Sequence, residues 1–293
     1  METKKISDVL FCSSQNLGQN EIFHYTNTEA FYQIIKNKTL RLSSHKYLND
    51  NKELKILEEL LNEDYLNQRD IHYNIDRLNE LKQIMGKINN QESFVLSFSK
   101  HQDLLSQWRG YADNSKGVSI GFNINNLRNK LMELMPRTSK ASDVAKIWMQ
   151  PVIYELKNQL EKLSIDKYYQ PLPDRKKIIS TDFWLKSISC ILKPQSFKEE
   201  DEVRITYTPN IEIDKAGIKV DGPLREIKYL HSNGKLKPYF EIQFGTWNKF
   251  ISSITIGANC KISEYELKRF LLINNFNPSE LEIKRSSLTY VIN

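Results

Sequence analysis

Residues 93–99 read SFVLSFS, and this stretch decides the fold class. Its aromatic and aliphatic side chains alternate with other residues, which is the period-two pattern of a β-strand. Residues 117–122, GVSIGF, alternate in the same way and carry Gly and Ser on their second face. A face of Ser and Gly leaves room for a flat ligand or for a closely packed helix, and both alternatives stay open. The two stretches predict a β-sheet at the centre of the chain.

Strand patterns lie on both sides of this centre, whereas the region that follows it is mostly helical in pattern. Strands are predicted at residues 22–26 (IFHYT), 40–43, 202–207, 225–231, 237–244 and 254–257, with a last one or two within 281–291. Ser232-Asn233-Gly234 predicts a hairpin turn. Helices are predicted at residues 51–64, 73–86 and 102–112. The fold class that follows is α+β.

Two capping boxes and one long helical stretch complete the prediction. Thr26 with Glu29, and Ser263 with Glu266, each predict a helix start. Residues 124–192 are predicted to be helical throughout, and their last helix must end by Lys193 because Pro194 follows. We therefore expect an N-terminal arm at residues 1–20 and a single domain at 21–293, with a helical insert at about 124–195.

Composition narrows the classes of function. The 293 residues include 42 Lys and Arg against 36 Asp and Glu, and the net charge of +6 would suit nucleic acid or an anionic dinucleotide. Three separated cysteines and five histidines without paired spacing predict neither a disulfide framework nor a metal site. No apolar run approaches ~18 residues and no secretion signal is recognisable, so the expected location is the cytoplasm.

Several familiar catalytic motifs are absent from the sequence. It contains no G-x-G-x-x-G, no G-x-x-x-x-G-K-[ST], no G-x-S-x-G and no H-E-x-x-H. Nucleotide-triphosphate folds, two-domain dehydrogenases, serine hydrolases and zinc proteases therefore lose support.

Three polar groups remain as candidates for chemistry. His24-Tyr25-Thr26 ends a predicted strand, where His24 would contact a ribose hydroxyl or would simply be a half-buried core residue. Trp108 and Tyr111 would stack on a heterocycle with Arg109 near a phosphate, or would face the core. Glu202 and Arg204 share a strand face, and are either a structural pair or a site in which Arg204 keeps Glu202 ionised.

The order of these blocks resembles a bacterial family labelled a domain of unknown function. Its pattern is H-Y-T, a strand ending in Ser before F-N-D-P-x-E, a strand ending F-S, W-x-x-Y-A-D-x-x-x-G-x-x-I-G-F, and E-x-E-W-R. The corresponding stretches here are IFHYT, LRLSS with LND, SFVLSFS, QWRGYADNSKGVSIGF and KPQSFKEEDEVRI. The sequence departs from the pattern at Leu48, Asn51, Phe197 and Val203.

That family in turn resembles the ADP-ribosyltransferase-like superfamily, in particular its His-Tyr-Glu type and the DarT-type enzymes that modify DNA. The resemblance implies a split mixed or antiparallel sheet with flanking helices. It implies that Glu202 is the catalytic glutamate with Glu200 as its companion, that His24 binds the adenosine ribose of NAD, and that Tyr111, rather than Tyr47, stacks on nicotinamide. Further residues would contact NAD: Tyr25, Thr26, Ser43, Ser97, Ser99, Trp108, Arg109 and Arg204.

The chemistry of NAD cleavage suits those residue types. Cleaving the bond between nicotinamide and ribose passes through an oxocarbenium-like state, and nicotinamide leaves as a neutral ring. One carboxylate that stabilises the growing charge, a few ribose contacts and a stacking ring are sufficient. The expected function is an NAD-dependent ADP-ribosyltransferase without a metal, acting on nucleic acid as a toxin or anti-phage effector. A neutralising antitoxin protein is a further implication of the resemblance.

Two other hypotheses stay open from the residues alone. The first is a nucleic-acid-binding or RNA-cleaving effector that does not use NAD, in which His24, His45 and Lys46 act as acid–base groups and phosphate contacts. The second is a regulatory module that binds a nucleotide without turning it over.

Overall fold

The protein is seen in a computed structural model that describes residues 18–47, 53–68, 75–88, 92–134, 147–156, 158, 188–245 and 247–289. Most of the predicted N-terminal arm, and residues 135–146 and 159–187 of the predicted insert, lie outside the described residues. None of the described helices has the length and apolarity that crossing a bilayer requires.

Twelve strands are present among the described residues, and ten of them form one sheet. The strands are β1 Glu21–Thr26, β2 Thr39–Ser44, β3 Phe94–Ser99, β4 Val118–Asn123, β5 Ile147–Pro151, β6 Glu202–Tyr207, β7 Asn210–Asp214, β8 Gly217–Asp221, β9 Lys228–Ser232, β10 Lys235–Gln243, β11 Ile251–Ile256 and β12 Glu282–Arg285. The main path of the large sheet is β12-β11-β4-β1-β3-β2-β10-β9, with β6 also on β3 and β5 on β6. Strands β7 and β8 form a separate ribbon.

Seven helices accompany the strands in the described part of the chain. They are α1 Thr28–Asn37, α2 Glu53–Leu60, α3 Glu63–Gln68, α4 Ile75–Ile88, α5 Leu105–Tyr111, α6 Ile124–Leu134 and α7 Glu264–Ile273. The β11–β12 pair is parallel and the other pairs are antiparallel. The structure is therefore α+β with a mixed sheet, which confirms the predicted fold class.

The sheet divides at β3. One edge of β3 pairs with β6 along its whole length. Its other edge pairs with β2 only at Phe94 and Val95, and with β1 only at Ser99. Strands β1 and β2 therefore diverge from the same edge and leave Leu96–Phe98 between them. We call this opening the split.

The two faces of the sheet differ in character around the split. The main core packs on one face and includes Leu96, Phe98, Val203 and Ile205. Because antiparallel partners share a face, Ser97 opposite Arg204 and Ser99 opposite Glu202 project from the other side. We call the side that carries these four residues the polar face. The folded sheet thus places four predicted site residues next to one another.

Two predictions of secondary structure need correction, and one element was missed. The N-cap of α1 is Asn27, whose side chain accepts a hydrogen bond from the Ala30 amide, because Thr26 is still paired within β1. Residues 147–151 form β5 rather than helix, since they pair with β6. The β7–β8 ribbon was not predicted. The Ser263–Glu266 capping box and the Asn233-Gly234 turn, with φ of 51° and 70°, are confirmed.

Candidate active site

Four charged side chains form a compact ion cluster on the polar face, which we call the Glu202 cluster. Arg204 Nε donates to Glu202 Oε1 at 2.6 Å, and Arg204 Nη2 donates to Oε2 at 3.0 Å. Lys193 Nζ donates to the same Oε2 at 3.2 Å and to Glu200 Oε2 at 2.6 Å. The cluster therefore consists of Lys193, Glu200, Glu202 and Arg204, with two positive and two negative charges.

Burial and charge act in opposite directions on Glu202. Removal from water favours the neutral acid, but the Arg204 and Lys193 charges outweigh this and hold the pKa of Glu202 below its ordinary value. The Ser97 side chain makes the smallest contribution in the same direction. Lys193 behaves reciprocally: burial and Arg204 lower its pKa, but Glu202, Tyr111 and Glu200 raise it above the ordinary value. Both groups are therefore charged at neutral pH.

Sequence reasoning missed Lys193. Its backbone N–H donates to the Ile153 carbonyl at 3.1 Å, beside a parallel bridge between Ile153 and Leu192. This bridge fixes the backbone immediately before the cluster. The neighbouring Tyr154 was also missed, and its hydroxyl accepts the Glu202 backbone N–H at 2.8 Å. Such long-range partners cannot be read from the alternation of a single strand.

Tyr111 is the one predicted aromatic that the structure brings to the cluster. It ends α5, its side chain is 38% exposed, and its hydroxyl donates to Glu200 Oε1 at 3.2 Å. Burial is the main cause that raises the pKa of Tyr111 to about 12, with Glu200 and Glu202 adding to it and Lys193 opposing it. The phenol is therefore protonated at neutral pH and has an accessible ring.

Trp108 and Tyr25 are core residues, which corrects their predicted contact with a ligand. Trp108 is 0% exposed, donates its Nε1–H to Asp103 at 2.6 Å and packs edge-on against Tyr25. The Tyr25 hydroxyl donates to the His101 carbonyl and accepts the Leu104 amide. Neither ring has a free face, so these residues hold α5, and with it Tyr111, in position.

The remaining predicted contacts are dispersed. Thr26 is buried at the end of β1, whereas Arg109 and Ser43 are exposed. The Ser99 hydroxyl is buried and donates to the Glu200 carbonyl at 2.8 Å, so it orders the backbone that leads into Glu202. In the described ranges no group of three or more His, Cys, Asp and Glu side chains converges as a metal site would.

His24 lies at the split but does not face Glu202. Phe23 pairs with Ser99, so alternation directs His24 to the opposite side of the sheet, where its ring meets Phe98 edge-on. His24 Nδ1 lies 2.9 Å from the Ser97 carbonyl oxygen, which can only accept, so Nδ1 carries the proton. Burial lowers the pKa of His24, although the Ser97 bond opposes this. At neutral pH the ring is neutral and its Nε2 is an acceptor.

Ser97 therefore lies between His24 and Glu202, the two residues to which the resemblance assigns contacts with one NAD molecule. Its backbone carbonyl accepts from His24, and its side chain contributes to the low pKa of Glu202. Tyr111, Glu200, Glu202 and Arg204 are brought together, while His24 reaches them only through Ser97.

Comparison with known proteins finds one partial match. No curated protein and no solved structure matches the chain. Residues 107–205, about a third of the chain, match the sequence pattern of a family described as "Protein of unknown function (DUF2971)". The matched segment runs from α5 through most of β6, and it contains Tyr111 and all four residues of the Glu202 cluster.

Proposed function

We propose that this protein is an NAD-dependent ADP-ribosyltransferase in which Glu202 is the catalytic carboxylate. The observation that carries the proposal is that the buried carboxylate of Glu202 is ion-paired with Arg204 and Lys193, one strand away from the split and beside Tyr111. The resemblance predicted a split sheet core, and the divergence of β1 and β2 from one edge of β3 supports that prediction.

The proposed reaction uses Glu202 as an electrostatic group. As the bond from nicotinamide to the ribose anomeric carbon breaks, positive charge develops on the ribose and its ring oxygen. A fixed carboxylate that accepts a hydrogen bond from the 2′-hydroxyl stabilises that charge without reorganising during the reaction. The bonding pair leaves with nicotinamide, which departs neutral, and an acceptor nucleophile forms the new bond while releasing its proton. Tyr111, whose hydroxyl stays protonated, would stack its ring on nicotinamide.

His24 is assigned a binding role in this scheme. Its Nδ1–H is used by the Ser97 carbonyl, so a ribose hydroxyl in the split would donate to Nε2. Because burial keeps the imidazole neutral, this acceptor persists at neutral pH. We assign His24 to the adenosine ribose and Glu202 to the nicotinamide ribose, because the side chains of His24 and Glu202 do not face each other.

The charge distribution favours nucleic acid as the acceptor. Residues 225–237 contain four Lys and Arg and one Glu, and they form the β9–β10 hairpin with the segment before it. The strand register places Lys228 of this hairpin on the polar face. Val95, which lies on that face with Ser97, pairs with Ser43; Ser43 pairs with Tyr239, and Tyr239 pairs with Lys228. Lys228 lies four strand spacings from β6, about 19 Å, which a few nucleotides can span. The exposed cations Arg225 and Lys235 and the exposed Tyr229 suit a phosphate backbone with stacked bases.

Nicotinamide release tests the proposal. Wild-type protein mixed with NAD and RNA, DNA or protein acceptors is compared with Glu202→Gln and with Glu63→Gln, whose carboxylate is also ion-paired but lies between α3 and α4. We expect Glu202→Gln to lose about 10²–10³-fold in rate, as for removal of one preorganised group, and Glu63→Gln to retain it. If wild type and Glu202→Gln release nicotinamide at the same background rate with every acceptor, the proposed enzymatic activity is wrong. NAD binding without any product would instead support a regulatory module.

The acceptor assignment has its own test. Lys235→Glu with Lys237→Glu is compared with Lys268→Glu with Arg269→Glu on α7, which changes the charge by the same amount. We expect only the hairpin variant to weaken binding of a labelled single-stranded oligonucleotide and to flatten its salt dependence. Equal losses in both variants would indicate a response to net charge alone and would remove the hairpin from the proposal.

The geometry does not favour a two-histidine RNA-cleaving site. His45 Nδ1 hydrogen-bonds the Ser93 carbonyl, and His24 Nδ1 hydrogen-bonds the Ser97 carbonyl. Four residues along a strand separate these carbonyls by about 13 Å, so the two rings are held at separate points of the sheet.

A further inference from the structure

The protein's own donors already surround the Glu202 carboxylate. Arg204 supplies two N–H groups, and Lys193 supplies a third donor. An ionised carboxylate offers about four lone-pair positions. Glu202 Oε2 already accepts from both Arg204 and Lys193, so a substrate hydroxyl that approaches this oxygen must displace one of these two donors.

Arg204 is poorly suited to move. It is buried, it contacts both Glu202 oxygens, and its Nη1 donates to the Cys190 carbonyl at 2.7 Å. Moving the guanidinium would break three hydrogen bonds of a buried charge, which is costly.

Lys193 has an alternative position close by. Its ammonium already contacts Glu200 Oε2 at 2.6 Å, which is shorter than its 3.2 Å contact with Glu202. The Phe197 ring lies 4.7 Å from the same nitrogen. The backbone before Lys193 is fixed by the Ile153–Leu192 bridge, whereas the flexible four-carbon stem can carry the ammonium between the two carboxylates.

We propose that Lys193 occupies Glu202 in the resting protein and that the nicotinamide ribose displaces its ammonium onto Glu200. This inference rests on the proposed function, since it names the residue that controls access to that site. Displacement also moves the Lys193 ammonium away from Glu202 Oε2, the oxygen that must stabilise the positive charge developing on the ribose. Lys193 is therefore a positioning residue that sets the affinity for NAD, and Glu200 is the group that receives it.

Two substitutions with opposite expected effects test this inference. Lys193→Met keeps the length of the side chain and removes the competing donor, so we expect the KM for NAD to fall by about tenfold. Glu200→Gln removes the second carboxylate and leaves Lys193 on Glu202, so we expect that KM to rise. Lys82→Met, which breaks an ion pair between α3 and α4, is the matched control and should leave KM unchanged.

A double variant guards against a folding defect. Lys193→Met alone leaves Glu200 without its cation, whereas Lys193→Met with Glu200→Gln leaves no unpaired charge at that position. The double variant should resemble Lys193→Met in KM, with a melting temperature near that of wild type. If both single variants raise KM or leave it unchanged while wild type is active and Glu202→Gln is not, the inference is wrong and the enzyme proposal stands. If wild type shows no release of nicotinamide above Glu202→Gln, both are wrong.

Discussion

Two clusters on the same face of the sheet contain the same three kinds of residue in different surroundings. Glu202 is paired with Arg204 and Lys193, and Glu241 on β10 is paired with Arg41 at 3.4 Å and Lys228 at 2.9 Å. The side chains of Glu202, Arg204 and Lys193 are 6%, 2% and 3% exposed. Those of Glu241, Arg41 and Lys228 are 11%, 35% and 30% exposed.

The difference shows that burial determines how strongly the charges of an ion cluster interact and which influence dominates their pKa values. Around Glu202 the desolvation effect is the largest single influence on the pKa of both Glu202 and Lys193, and only close opposite charges overcome it. For Lys228 the hydrogen bond that it donates to Glu241 is the largest influence and raises its pKa. Charges in the buried cluster interact strongly because water does not screen them. A buried carboxylate that is ionised at neutral pH can serve electrostatic catalysis, whereas the Glu241 cluster is better suited to a surface role.

The largest expected contrast is in stability. Arg204→Met removes the main cation from a buried carboxylate, and we expect the free energy of unfolding to fall by about 3–5 kcal/mol. Arg41→Met removes a partly exposed partner at 3.4 Å and should cost about 0–1 kcal/mol. Urea unfolding of both variants at pH 7 measures the difference. Similar losses in the two variants would mean that burial does not distinguish the clusters.

The sequence pattern predicted much of the sheet. It also placed Glu202 and Arg204, two of the four residues of the Glu202 cluster, side by side. Alternation in residues 202–207 placed Glu202 and Arg204 on one face, and the structure confirms this. The same kind of pattern put Ser97 and Ser99 on one side of β3, and the structure adds that this side lies next to Glu202 and Arg204. These predictions depend only on local periodicity, which burial of one sheet face imposes on the chain.

The missed features depend on contacts that are distant along the chain. Lys193 reaches Glu202 because the Ile153–Leu192 bridge brings its backbone alongside the segment after β5. β5 was mistaken for helix, although Ile147 and Met149 are buried in alternation and that signal was available. Trp108 and Tyr111 have normal helical spacing, and only packing against Tyr25 shows which ring is buried. Sequence could not decide between the two.

The pH dependence of stability should separate the clusters by a smaller amount. The pKa of Glu202 is lowered on folding, so its ionised form contributes stability above the ordinary value of 4.5, and this contribution is lost as pH falls through the lowered pKa. The destabilisation caused by Glu202→Gln should therefore be greatest near pH 7 and should shrink as pH falls below 4.5. Unfolding free energies measured between pH 7 and pH 3 test this. A constant difference over that range would contradict an ionised Glu202.

The smallest expected contrast is the response to salt. The Debye length falls from about 10 Å at 0.1 M to about 3 Å at 1 M ionic strength, so mobile ions screen exposed pairs and reach buried ones poorly. Urea unfolding in 0.1 M and 1 M KCl should show the small cost of Arg41→Met approaching zero while the cost of Arg204→Met stays nearly constant. Urea is the suitable denaturant because it adds no ions. A salt-dependent cost for Arg204→Met would mean that solvent enters the Glu202 cluster in the absence of ligand. Glu202 would then be accessible without displacement of Lys193. This measurement therefore tests the proposal that Lys193 occupies Glu202 in the resting protein, as well as the comparison of the two clusters.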